Sequence, residues 1–141
     1  MDTMDRMLEL SRQGFYCAQI LMILALESEG KEDPDLVRAI GGLNGGIGNS
    51  RNLCGTMTGG ACFLSYFGGK GEPDELEHPE LNQMIQEYLD WFRKYTKEYG
   101  GCTCNWILSG DTRNMIQRCP VLMQAAVEKC VELLQQHGVV E

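Results

Sequence analysis

Ten consecutive residues, Gly41-Gly42-Leu43-Asn44-Gly45-Gly46-Ile47-Gly48-Asn49-Ser50, include five glycines, and no regular element can run through them. Glycine is costly to order and is used where a chain adopts left-handed angles or passes close to another group. The segment therefore reads as a loop of unusual backbone. On either side of it apolar residues recur at three- and four-residue steps, and no stretch sustains the alternation of a strand. The expectation is a set of helices arranged around one elaborate loop.

Met4, Met7, Leu8, Phe15, Ala18, Met22 and Ala25 fall on one face of an amphipathic helix running from about residue 3 to 28, with Gly14 as a point of kinking or close packing. Asp33-Pro34 supplies an N-cap and a first-turn proline for a short helix through Leu36, Val37 and Ile40. The small, apolar run from Thr56 to Phe67 reads as a buried helix that ends at Gly68-Gly69. Pro79 opens a helix with Leu81, Met84, Ile85, Tyr88, Leu89, Phe92, Tyr95 and Tyr99 on one face. Cys104 to Leu108 makes a turn or two, Asp111 caps a segment from Thr112 to Arg118, and the last helix starts at Pro120 and closes at His137-Gly138. The sum is a compact all-α bundle of about five or six helices with a glycine-rich loop, in one domain spanning the chain.

Composition narrows the function. Twenty acidic residues against twelve basic ones give a net charge of −8 with no Lys/Arg cluster, so neither nucleic acid nor an anionic membrane is an expected partner. The longest apolar stretch, Ile20 to Leu26, is far short of the ~20 residues a membrane span needs. Seven cysteines, an odd number, argue against a fully paired extracellular framework, and Met1-Asp2-Thr3-Met4-Asp5 lacks the basic start of a signal peptide. A reducing, cytoplasmic setting is expected, in which cysteines are kept for chemistry.

The cysteines divide by context. Cys62 and Cys130 lie inside apolar helical runs and read as small core residues. Cys17, Cys54, Cys102, Cys104 and Cys119 fall at turn-rich points. Cys54 and Cys119 stand at expected helix starts, where unpaired N–H groups and the helix dipole favour an anion, which predicts lowered thiol pKa values there. Arg51 could add positive charge, and the glycine loop would let backbone approach a small bound group. That loop is not a Walker A motif, since no Gly-Lys-Ser/Thr follows, and it lacks the strand of a dinucleotide fold. His78 and His137 have no partner at ligand spacing and read as helix-end or surface residues. The Tyr88 to Tyr99 stripe and the long first helix exceed what a small domain must bury, so a homodimer is expected.

Cys17 in a Phe-x-Cys-Ala-Gln setting, the Gly-Gly-x-x-Gly-Gly-Ile-Gly stretch, Cys54-Gly55-Thr56-Met57-Thr58-Gly59, Cys104 and Cys119 together resemble the C-GCAxxG-C-C family of redox-active proteins. The resemblance covers nearly the whole chain and maps the family's four cysteines onto Cys17, Cys54, Cys104 and Cys119. It implies that these four converge and carry the function. Where the family's central motif has alanine, this chain has Thr56, which alters the packing beside Cys54 and leaves the thiols intact. No Cys-x-x-Cys-His for haem attachment is present.

Two chemistries are open to four such thiols. One is thiol/disulfide exchange or electron transfer with a redox partner protein or a small redox molecule, in which one cysteine attacks and another resolves. The alternative is a metal-binding role, with Cys17, Cys54, Cys104 and Cys119 holding an iron–sulfur cluster or, after it, zinc. The intervals of 37, 50 and 15 residues match no compact ferredoxin or zinc-finger spacing, which favours the dithiol. Cys102 is open between a resolving thiol, an auxiliary ligand and a loop residue.

Overall fold

A computed structural model describes residues 2–141. The chain is all-α, as the periodicity predicts. Six helices of seven residues or more are α1 (Thr3–Arg12), α2 (Cys17–Ser28), α3 (Pro34–Ile40), α4 (Gly55–Gly68), α5 (Leu81–Tyr95) and α8 (Cys119–Gln136). The short α6 (Cys104–Leu108) and α7 (Asn114–Gln117) lie between α5 and α8. Among the described residues the only β pairing is a single antiparallel bridge between Leu53 and Thr103.

The single N-terminal helix expected over 3 to 28 is two helices. Backbone at Gly14 turns left-handed (φ +96°), the extended Tyr16 resets the direction, and α2 begins at Cys17. Only glycine takes such an angle without steric cost, so the break is written at one residue. Two other starts also shift. Helix α5 begins at Leu81, two residues after Pro79, and α8 begins at Cys119, one residue before Pro120. Asp111 accepts the Arg113 N–H at 2.9 Å, but the segment it was expected to cap winds only a single turn. The Asp33–Pro34 start is as expected, with the Asp33 carboxylate accepting the Leu36 N–H at 3.1 Å.

Helix α2 lies at the centre, which explains why it is apolar nearly all round. Its Ala18, Met22, Ala25 and Leu26 join α4, α5 and α8 in the main core, while Ile20 joins Met7, Leu10 and Met123 in a second cluster against α1. Helix α4 packs most extensively on α2, and at Gly59 the two backbones come so near that a methyl group would press on Ala18. Tyr88 and Phe92 are fully buried, and Trp91, Tyr95 and Tyr99 pack on the same core. Much of the aromatic stripe is thus taken up by this chain's own core.

His137, read from sequence as a helix-end or surface residue, is the C-cap that ends α8. Its side chain is 10% exposed and bridges Glu80 (3.3 Å) and Glu87 (3.2 Å), tying the end of α8 to α5. Among the described residues no helix is long and apolar enough to cross a membrane.

Candidate functional site

The site is assembled by helix starts. Cys17 is the first residue of α2, Cys54 the N-cap of α4, Cys104 the first residue of α6 and Cys119 the first residue of α8. All four line one cavity of about 660 Å³, together with residues of the glycine loop and of α7. The sequence marked Cys54 and Cys119 as helix starts. It also began a turn or two at Cys104, whose helix is capped by the Thr103 hydroxyl accepting the Trp106 N–H at 3.3 Å, but it did not mark Cys17, because the break at Gly14 was read as a kink.

Backbone pairing sets the starts side by side. The Cys54 N–H donates to the Cys102 carbonyl at 3.2 Å, and the N–H groups of Cys104 and Asn105 donate to Asn52 and Arg51 at 2.7 and 3.1 Å. Cys102 contributes this carbonyl, while its side chain packs on the main core and does not line the cavity. Cys62 also packs on the core, and the buried Cys130 thiol donates to the Gly60 carbonyl at 3.6 Å. Both are core residues, as their runs predict.

The glycine loop forms one wall. From Gly45 to Asn49 every residue has a positive φ, between 59° and 79°, including Ile47 and Asn49. A left-handed turn of this length costs roughly 1–2 kcal/mol at each non-glycine residue and persists only where its surroundings enforce it. Here backbone bonds enforce it: Gly48 N–H to Gly42 carbonyl at 2.9 Å, Asn49 to Asn44 at 3.0 Å, Arg51 to Gly45 at 2.9 Å and Asn52 to Gly46 at 3.1 Å. One group reaches a cysteine as a result: the Arg51 guanidinium donates to the Cys104 sulfur at 3.6 Å. Arg51 makes no ion pair among the described residues, although the protein carries an excess of carboxylates.

Gly55 and Thr56 complete the floor. A methyl group on Gly55 would overlap the Cys17 sulfur, so the residue after Cys54 must be glycine for the two thiols to be neighbours. The Thr56 N–H donates to the Cys54 sulfur at 3.4 Å. Thr56 is 1% exposed, and its buried hydroxyl has no partner within the protein. An unsatisfied buried hydroxyl costs about 1–3 kcal/mol.

Cys17, Cys54 and Cys119 are held protonated. Burial pushes Cys54 up to about 12, with the neighbouring Cys17 adding to the effect and the Thr56 N–H opposing it. Burial also pushes Cys119 up to about 12, reinforced by Cys17 and Cys104 and opposed by Arg51 and Arg118. Cys17 is raised by burial, which outweighs the opposing backbone of Gly45 and Ala18. The expected lowering at Cys54 and Cys119 is therefore overturned. Removing a thiolate from water costs more than a helix start returns, and each sulfur opposes ionisation of the next. Cys17 and Cys119 are each coupled to the other three cavity cysteines.

The donors suit some occupants and not others. Among the described residues no group of three or more His, Cys, Asp or Glu side chains is drawn together tightly enough to hold a metal ion, so zinc does not fit this arrangement of the thiols. Neither the curated proteins nor the solved structures provide a match to the chain. A family model described as "putative redox-active protein (C_GCAxxG_C_C)" matches residues 15–133.

Proposed function

The chain belongs to the C_GCAxxG_C_C family of redox-active proteins, and on that premise we propose that its four cavity cysteines work as a thiol/disulfide couple. The observation that supports this most is that residues far apart in sequence bring four unpaired thiols, each at a helix start, to one cavity. Cys104 is the attacking residue: it is half-buried, and a guanidinium lies against its sulfur. Cys17, one of the two sulfurs coupled to Cys104, resolves. In the first step the Cys104 thiolate bonds to one sulfur of an incoming disulfide and the other sulfur leaves as a thiol. In the second, Cys17 bonds to Cys104 and expels the remaining half. Two protein thiols are oxidised and one disulfide is reduced.

Holding Cys17, Cys54 and Cys119 as neutral thiols fits this role. A reduced set that is protonated at neutral pH resists adventitious oxidation and reacts through the one thiol beside a cation. The test equilibrates the reduced protein with dithiothreitol buffers of graded redox poise and counts free thiols. A reversible loss confined to the cavity cysteines, and abolished by Cys17→Ser and by Cys104→Ser, supports the proposal. Unchanged thiol counts across the range refute it.

One observation favours a second reading, an iron–sulfur cluster. The Thr56 N–H already donates to the Cys54 sulfur, as backbone N–H groups do to cluster-ligating thiolates, and all four cysteines line one cavity. Such a cluster would supply one-electron transfer, with Cys17, Cys54, Cys104 and Cys119 as its ligands. Stoichiometric iron and visible absorption in anaerobically purified protein would establish it in place of the dithiol.

A further inference from the structure

We infer that the cavity takes a small disulfide with uncharged hydrocarbon arms. This rests on the thiol/disulfide reading above and names its substrate class.

Four large apolar side chains that water reaches, Phe15, Tyr16, Met115 and Ile116, line the same cavity as the thiols. Phe15 also packs on the cluster against α1, but Tyr16 (55% exposed), Met115 (37%) and Ile116 (80%) belong to neither core. A lone exposed apolar residue calls for no account, whereas three on the rim of one reactive cavity mark a surface that an apolar ligand would cover. The chain segments that deliver the thiols also deliver this rim. Tyr16 is the N-cap of α2, immediately before Cys17, and Met115 and Ile116 are on α7, the single turn that precedes α8 and Cys119.

Charge points the same way. Among the described residues none of the protein's carboxylates lines the cavity, and Arg51 is the one formally charged side chain on its wall. A cationic arm would find no partner there, and burying an unpaired charge is costly. An anionic arm would be drawn to Arg51, whose guanidinium already donates to the Cys104 sulfur at 3.6 Å, and would offset the cation that favours the attacking thiolate. Hydrocarbon arms do neither. The volume of about 660 Å³ is within the usual ~300–1,000 Å³ of small-molecule sites.

The reaction balances. The Cys104 sulfur bonds to one sulfur of the small disulfide as its S–S bond breaks, and Cys17 then bonds to Cys104 and releases the second arm. The two protein sulfurs are oxidised, the small disulfide gains their two electrons, and the two thiol protons pass to the departing sulfurs.

The experiment uses three disulfides that differ only in the end group of each arm. Dipropyl disulfide ends in methyl, 2-hydroxyethyl disulfide in hydroxyl and 3,3′-dithiodipropionate in carboxylate. The rate at which each oxidises the reduced protein is divided by its rate with dithiothreitol, an uncharged dithiol that reacts in the same two steps, so that the disulfide's own reactivity cancels. On that scale dipropyl disulfide should be about tenfold faster than either of the others. Combining Met115→Ser with Ile116→Ser, both at exposed positions, should shrink this preference toward one, with helix content unchanged by circular dichroism. Equal normalised rates, a preference for the carboxylate, or a preference for methyl that the double variant leaves unmoved overturns the substrate class. Failure of all three to oxidise the protein overturns it too, while the couple itself stands or falls by the dithiothreitol titration.

Discussion

A methyl group at Gly55 would occupy the space that the Cys17 sulfur fills. Gly55→Ala is therefore expected to destabilise the protein by ~1–3 kcal/mol, as overpacking does, and to displace Cys17 from its neighbours. Urea unfolding measures the cost. The same substitution in a Cys17→Ala background should cost clearly less, because the obstructing sulfur is gone, and an equal cost in both would mean that the sulfur is not the obstacle. Reactivity gives a second check at this scale. Brief iodoacetamide treatment of reduced, folded, metal-free protein should label Cys104 before Cys54 and Cys130, because Cys54 is pushed up to about 12 and Cys130 is raised by deeper burial still. Labelling of Cys54 ahead of Cys104 would reverse the assignment of the attacking residue. The four cysteines that line the cavity were legible in the sequence, through its resemblance to the family. The direction of their titration was not, because a helix start is written in the order of residues whereas burial depends on what the rest of the chain places on top.

At the scale of elements, the glycine loop bears the most strain. Ile47 is a β-branched residue held at φ 72° and half exposed, so little packing is lost when its side chain goes. Ile47→Gly should raise stability by about 1 kcal/mol, read as a higher urea midpoint with an unchanged slope. Gly46→Ala should lower it by about 2 kcal/mol or more, since its methyl group would meet the backbone of Arg51 and Asn52. A lowered midpoint for Ile47→Gly would mean that the left-handed turn is not strained. Five glycines in ten residues announced such a loop, and the structure bears that out. What no local pattern announced was its job of aiming a guanidinium at Cys104. That partner lies 53 residues away from Arg51, and the pairing of residues 51–54 with 102–105 that delivers it is too short for any strand signal. The break at Gly14 was legible as a weak point, but its consequence, a new helix start at Cys17, depended on how α2 inserts between two cores.

For the whole molecule, closure of the bundle depends on His137 between Glu80 and Glu87. The hydrogen bond to Glu87 leads in raising its pKa above the usual value near 6.5, with Glu80 assisting. A group raised on folding contributes stability that is fully present below its unfolded pKa and lost as pH rises through its folded one. The melting temperature should therefore fall as pH rises from about 6.5 through that elevated value, and His137→Gln should flatten this slope. A wild-type slope that persists in the variant would place the titrating group elsewhere. The central claim concerns the same molecule's opposite end, where helix starts gather the four thiols into one centre. Mapping cross-linked peptides by mass spectrometry, after the folded, reduced protein is oxidised with diamide, tests it most directly. The account expects every intramolecular disulfide to join two of Cys17, Cys54, Cys104 and Cys119, with Cys17–Cys104 foremost and Cys62 and Cys130 still free. Disulfides that recruit Cys62 or Cys130 in folded protein, or none among the four, would contradict it.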